Sequence, residues 1–289
     1  MAVKEIRIGT AGWSYPTGPG SWNGVFYPRG RVDELEFYAH YFDIVEINST
    51  FYRPHTPAMA SAWVRRTPRD FKFAVKLFQK FTHPKMFEAQ SGQSEDPTAT
   101  DADQFRRSLD PLVRAAKLSA LLIQLPPSCH NGESSREKLT WTLRQFRDYP
   151  LAVEFRHESW SQSAAATDRF LAEYKASWVQ IDEPKFDSSI QQDFRPHGPH
   201  FYLRFHGRNK DQWWAKDASE KRYDYLYARE ELEPFAEKVK EAQVQSVSVI
   251  FNNHYGGKAV ANAMQFRALL GQKTEKPPDI LVSKFPFLK

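Results

Sequence analysis

Cysteine occurs once in the 289 residues, at Cys129. That count excludes an intrachain disulfide and any multi-cysteine metal site. Cys129 stands beside His130 in "QLPPSCHNG", but thiolate nucleophiles draw their partners from distant parts of a chain, so we do not read this pair as catalytic. Long apolar runs are also lacking. No stretch approaches the ~18 residues of a membrane span, and the opening "MAVKEIRIG" has no apolar signal region. The expectation is a soluble, cytoplasmic protein without a membrane partner. Glycine is scarce, with 13 residues, and neither of its notable clusters, "GTAGWSY" and "HYGGKAVANA", matches a P-loop or dinucleotide fingerprint. Gly256-Gly257, with Lys258 behind it, is expected either to present N–H groups to an anion or to make a tight turn at positive φ. Charge of one sign does not dominate: 40 basic against 35 acidic residues leave +5. That balance is compatible with an anionic ligand and identifies no site by itself.

What is present is a regular alternation. Short strands "EIRIGT", "DIVEIN", "FKFAVK", "ALLIQL", "LAVEF", "WVQID", "FYLRFH" and "VSVIFN" are separated by helix-period segments at Val32–Tyr41, Ala102–Lys117, Ser134–Arg147, Ala164–Lys175, Arg229–Gln243 and Gly257–Leu270. Eight such units predict an α/β fold, a TIM-like (β/α)8 barrel forming a single domain over residues 1–289, with long loops at its C-terminal face. Lys80–Asp101, rich in Ser, Thr, Gly and Pro, reads as a loop insertion after strand three. Glu183–Pro199 is a second excursion after strand six.

Side chains alternate along a strand, so polar residues on one parity point together. Assigning the apolar parity to the outer helices turns the polar parity into the barrel. Glu46, Asn48, Lys76, Gln124, Glu154, Arg156, Asp182, Arg204, His206 and Asn252 then converge at the C-terminal rim, where barrel enzymes do chemistry. Apolar side chains would fill these layers at less desolvation cost, which favours a functional ring.

"IRIGTAGWSY", "WNGVFYP", "FDIVEINSTFYR", "FKFAVKLFQKFTH", "LLIQLPPS", "LAVEFRHESW", "YLRFHGRN" and "VIFNNHYGGKAVANA" together resemble the YecE-like family, domain-of-unknown-function family number 72, over nearly the whole chain. The resemblance implies a TIM-like barrel in the cytoplasm of bacteria and archaea. It implies no activity and no catalytic residues.

The ring therefore supplies the functional reading. Glu46 and Glu154 are the acid/base candidates, Asp182 the second carboxylate, and His206 a proton relay near neutral pH. Lys76, Arg156 and Arg204 would hold an anion, with Arg53 and His55 extending the basic side. Asn48 and Asn252 would bind hydroxyls, and Trp13 and Tyr52 would stack on a ring. Trp213 and Trp214 are aromatic candidates without an assigned role. The expected function is an enzyme, hydrolase or isomerase, acting on a small anionic ring-bearing substrate such as a phosphorylated sugar or a nucleotide-like compound. Three alternatives use the same residues. One is a metal-dependent phosphoesterase or isomerase, with Glu46, Glu154, Asp182 and His206 around Mg²⁺ or Mn²⁺. Another is a nucleic-acid-binding protein. The last is a non-catalytic small-molecule sensor.

Overall fold

The computed structural model describes residues 4–213 and 219–289; Trp214 lies outside them. Among the described residues, nine strands form one parallel sheet in the order β6-β5-β4-β3-β2-β1-β9-β8-β7. They are β1 (Glu5–Ala11), β2 (Ile44–Ile47), β3 (Lys72–Lys76), β4 (Leu118–Gln124), β5 (Leu151–Glu154), β6 (Ser177–Trp178), β7 (Gln180–Asp182), β8 (His200–Phe205) and β9 (Ser246–Phe251). The pair β6 and β7 is the single sixth stave expected from the sequence, interrupted at Val179. One half pairs with β5 and the other with β8, so the chain itself closes the ring. Eight staves, not nine, make the barrel.

The outer layer comprises α1 (Glu34–Tyr41), α2 (Pro57–Arg65), α3 (Pro84–Ser91), α4 (Ala99–Arg114), α5 (Glu133–Gln145), α6 (Ala164–Glu173), α7 (Arg229–Glu241), α8 (Lys258–Leu269) and α9 (Asp279–Lys284). Local chemistry sets their starts. The Asp33 carboxylate accepts from the N–H groups of Leu35 and Glu36, Thr56 accepts from Met59 with Pro57 behind it, and Thr98 and Asp101 cap one another. Lys80–Asp101, expected as a loop, instead contains α3 and the first turn of α4. Helix α3 escapes periodicity because none of its residues is buried; a helix without an apolar face leaves no 3.6-residue signal.

Strand β1 meets β2 closely. A Cβ on Gly9 would lie 2.0 Å from the Ile44 carbonyl oxygen, so only glycine fits. Tyr38 of α1 spans this junction, its hydroxyl accepting from Thr10 N–H at 2.9 Å and donating to Ile44 O at 3.0 Å.

Register fixes what faces inward. Glu46 is level with Ala74, Ala74 with Ala120, Lys76 with Leu122, Gln124 with Glu154, and Arg204 with Ile250. Small side chains at 74, 120 and 152 leave room for the buried Tyr202 and Arg204. Outside the sheet, Phe205 stacks on Phe251 and both pack on Phe266 of α8. The sequence assigns a parity to seven staves, and it holds in six of them.

The sixth stave is the exception. Ile181 is level with Arg204, and Asp182 with Phe205, so Ile181 faces inward and Asp182 outward. The reason lies in what covers this stave. Residues 183–199 contain no helix and wrap its outer face with polar groups. Gln180 Oε1 accepts from Phe194 N–H, and Gln192 Oε1 accepts from Ile181 N–H. Polar residues can therefore point outward here. Among the described residues no helix is long and apolar enough to cross a membrane.

Candidate functional site

The site grows from Arg204, the largest cation of the interior and 1% exposed. Its Nη2 donates to Glu46 Oε1 at 2.6 Å, and its Nη1 donates to Glu154 and, at 3.3 Å, to Gln124 Oε1. Tyr202 donates its hydroxyl to the other Glu46 oxygen at 2.6 Å. Arg156, two residues beyond the end of β5, donates from Nε to Glu154 Oε1 at 2.5 Å and from Nη1 to Glu183. Strands β2, β5 and β8 thus meet through one connected network, and Glu46, Glu154 and Arg204 are in direct contact, as the rim expectation required.

Electrostatics decide which members can exchange protons. Burial works against ionised Glu154, but Arg156, Arg204 and His206 together hold its carboxyl well below the usual range. It is a fixed carboxylate, not the acid/base group expected from sequence. Burial likewise opposes the charge on Arg204, and Glu154 and Glu46 outweigh it, raising the pKa further. His206 is pushed well below the ordinary histidine value by burial, then by Arg156 and Arg204. The Nε2 of neutral His206 lies 2.9 Å from Arg156 Nη2 and 3.5 Å from Glu154 Oε1. Its Nδ1 lies 2.9 Å from the Asn252 Nδ2 amide group. His206 positions Arg156; it is not a relay.

Asp182 is a correction. It accepts two hydrogen bonds from Arg208 at 2.8 Å and one from the Tyr227 hydroxyl at 2.6 Å, in the outer layer. Glu183, the next residue and 6% exposed, takes the inward place and holds Arg156. Burial raises its pKa against the pull of Arg156. This displacement also dissolves the proposed Mg²⁺ or Mn²⁺ set, since Asp182 stands apart and Glu46 and Glu154 are engaged by guanidinium. Among the described residues no group of three or more His, Cys, Asp or Glu is arranged to hold a metal.

Above the network opens a cavity of about 450 Å³. Its aromatic wall is Trp13, Tyr15, Phe51, Tyr52, Tyr223 and His254, and its polar wall includes Asn48, Lys76, Gln124, Arg156, Arg204 and Asn252. Trp13 and Tyr52 fall where expected, with Tyr52 57% exposed at the mouth. His254 stacks on Tyr15 at 4.4 Å and 12°. Lys76 is different from the arginines. Its Nζ lies 3.9 Å from the centroid of Phe51 and forms no hydrogen bond or ion pair with a described residue. Burial, then Arg204, push its pKa down to about 7, against Glu154 and Glu46. Asn48 Oδ1 and Arg204 Nε are also buried without a hydrogen-bond partner among the described residues.

The remaining candidates sit elsewhere. His55 bonds Ser49 at 2.8 Å and packs edge-on to Trp63. Gly256 and Gly257 take positive φ, and their N–H groups are used by Gly20 O and His254 O. Lys258 pairs with Asp224. That cluster is a turn, not an anion cradle. Cys129 is partly buried, and burial raises its thiol pKa, the reverse of an activated nucleophile. Trp213 is buried.

Comparison with known proteins decides the family. The family model described as "Protein of unknown function DUF72" matches residues 7–284. The chain belongs to this family. It is 33% identical to UPF0759 protein YunF of Bacillus subtilis over 277 residues, covering 92% of this chain and 94% of that one. Among solved structures, a DUF72 family protein from Thermotoga maritima is 34% identical, with TM-score 0.78 over 92% of this chain and 99% of that one. Another from Enterococcus faecalis gives 26% and 0.80, covering 95% and 98%. DUF72 carries no assigned activity, so the site must supply one.

Proposed function

We propose that this DUF72 protein is a cytoplasmic barrel enzyme, hydrolase or isomerase, that receives a small anionic, ring-bearing substrate in the cavity above Arg204. One observation carries the reading. Among the described residues lining the cavity three are basic, Lys76, Arg156 and Arg204, and none is acidic. The carboxylates lie behind the guanidinium groups and hold them in place. A guanidinium has five N–H donors. Arg156 spends three on Glu154, Glu183 and His206, which leaves two for a ligand.

The volume suits a small molecule rather than a polymer. The aromatic wall suits a flat or puckered ring, and Asn48 Oδ1 awaits a hydroxyl donor. Hydrolysis and isomerisation both need a group that gives and takes a proton near neutral pH. Lys76 supplies it.

A thermal-shift panel tests the reading. It would hold sugar phosphates, sugar acids, nucleotides and short oligonucleotides, each with and without Mg²⁺ or Mn²⁺. A ligand at 100 times its Kd adds about 2.7 kcal/mol. The expected result is a shift by a phosphorylated or carboxylated ring compound, independent of metal and lost in Arg156→Met. Shifts that appear only with long oligonucleotides, or only with metal, would overturn it.

A further inference from the structure

We propose that Lys76 is a covalent nucleophile, its Nζ condensing with an aldehyde or ketone carbon of the bound anion to form an imine. This rests on the cavity being the substrate site and narrows the substrate to an anion that also presents a carbonyl, as a phosphorylated sugar does in its open-chain form.

The geometry distinguishes Lys76 from every cation around it. Arg156 and Arg204 are held by carboxylates. Lys80, four residues on, is clamped by Glu95 at 3.0 Å and Asp101 at 3.0 Å. Lys76 instead ends β3 facing the cavity, with only the Phe51 ring beneath it. Phe51 is backed in turn by His83, edge-on at 4.8 Å. Burial and the charge of Lys76 push His83 down to about 3, so it is neutral and adds no second positive charge there. Lys76 is half-buried and lines the cavity; an ammonium partly withdrawn from water, with no carboxylate of the described residues in ion-pair contact, is disfavoured relative to its neutral amine. A lysine kept only to hold an anion would be served as well at the exposed rim; a desolvated amine beside an electrophile is the arrangement of an imine-forming lysine.

The step balances within the cavity. The Nζ lone pair attacks the carbonyl carbon, a C–N bond forms, and the π pair moves to oxygen, where the free N–H groups of Arg156 stabilise it. Oxygen then leaves as water with the two amine protons, and a C=N bond remains. Water returning to that carbon regenerates lysine and carbonyl.

The test is trapping. Full-length protein would be incubated at pH 7 with pyridoxal 5′-phosphate, an anionic ring-bearing aldehyde, reduced with borohydride, and mapped by peptide mass. At pKa about 7 the neutral fraction of Lys76 exceeds that of an exposed lysine on the order of 10³-fold. Lys76 should label at least about ten-fold faster than any surface lysine, even after its lower basicity weakens it as a nucleophile. Labelling should be suppressed by excess inorganic phosphate and should be absent at position 76 in the folded variant Lys76→Arg. Adducts confined to surface lysines would overturn the proposal. Sorbitol 6-phosphate, an anion without a carbonyl, separates the two readings. If it shifts the melting temperature while Lys76 stays unlabelled, the cavity reading stands and the imine fails; if no anion shifts it and Lys76 is unlabelled, both fail.

Discussion

The barrel interior holds two polar regions, one above the other, and they are built on opposite rules. In the lower one, Tyr202, Glu46, Arg204, Glu154, Arg156 and Glu183 are joined by hydrogen bonds and ion pairs, with Arg204 Nε and two Arg156 N–H groups left over. In the upper one, among the described residues, Lys76 has no ionic partner and Asn48 Oδ1 has no donor. Buried polar groups normally carry their hydrogen bonds internally. The paired layer is therefore frame, and the unpaired layer is where a ligand completes the structure. Residue type alone would have reversed this, because carboxylates attract the catalytic label and a lysine over a phenylalanine does not.

Substitutions can break that distinction. The largest effect is expected for Arg204→Met, which strands Glu46 and Glu154 in the interior. Denaturant unfolding should show a loss of about 3–5 kcal/mol, and a loss under 1 kcal/mol would mean the layer is not a frame.

Lys76→Met should do the opposite near neutral pH, leaving stability unchanged or raised while abolishing ligand shifts. Its sign with pH follows from linkage. Lys76 has a folded pKa of about 7 against 10.5, so between these values the unfolded chain binds the extra proton, and stability rises with pH. Below pH 7 both states are protonated and the dependence ends. The groups that set this window are Arg204, Glu154, Glu46 and Arg156. The wild type should gain on Lys76→Met by about 1.4 kcal/mol per pH unit at the steepest part of the window. Parallel pH profiles would sink the assignment.

Glu183→Gln and Asp182→Asn sharpen the comparison sideways. Each weakens charge-assisted hydrogen bonds and should cost about 1–3 kcal/mol. Only Glu183→Gln should alter affinity for an anionic ligand, because it alone touches Arg156. Equal effects on affinity would contradict the outward placement of Asp182. The smallest effect on folding belongs to Tyr52→Ala at the mouth, within about 0.5 kcal/mol, with a loss of ring-ligand affinity as its only expected consequence.

Much of this was legible in the sequence. The staves follow from alternating polarity, and Glu46, Glu154 and Arg204 meet because parity and strand ends place them. What failed did so for physical reasons. "WVQIDE" alternates equally well in either sense, and only the helix-free covering of that stave turns Asp182 out and Glu183 in. Helix α3 has no buried face to betray it. The roles inside the ring depend on distances, since whether an arginine binds a substrate or a neighbouring glutamate is not written in residue type. Tyr202, two positions before Arg204 and on the same parity, was within reach of the alternation argument.

The most direct measurement is a crystal structure with a phosphorylated sugar or sugar acid bound. The anion's oxygens should lie within hydrogen-bond distance of Arg156 and the ring against the wall that contains Trp13 and Phe51, with Glu46 and Glu154 still on Arg204. If instead Glu46 or Glu154 left Arg204 to coordinate a metal or touch the substrate, the division into frame and cavity would be wrong.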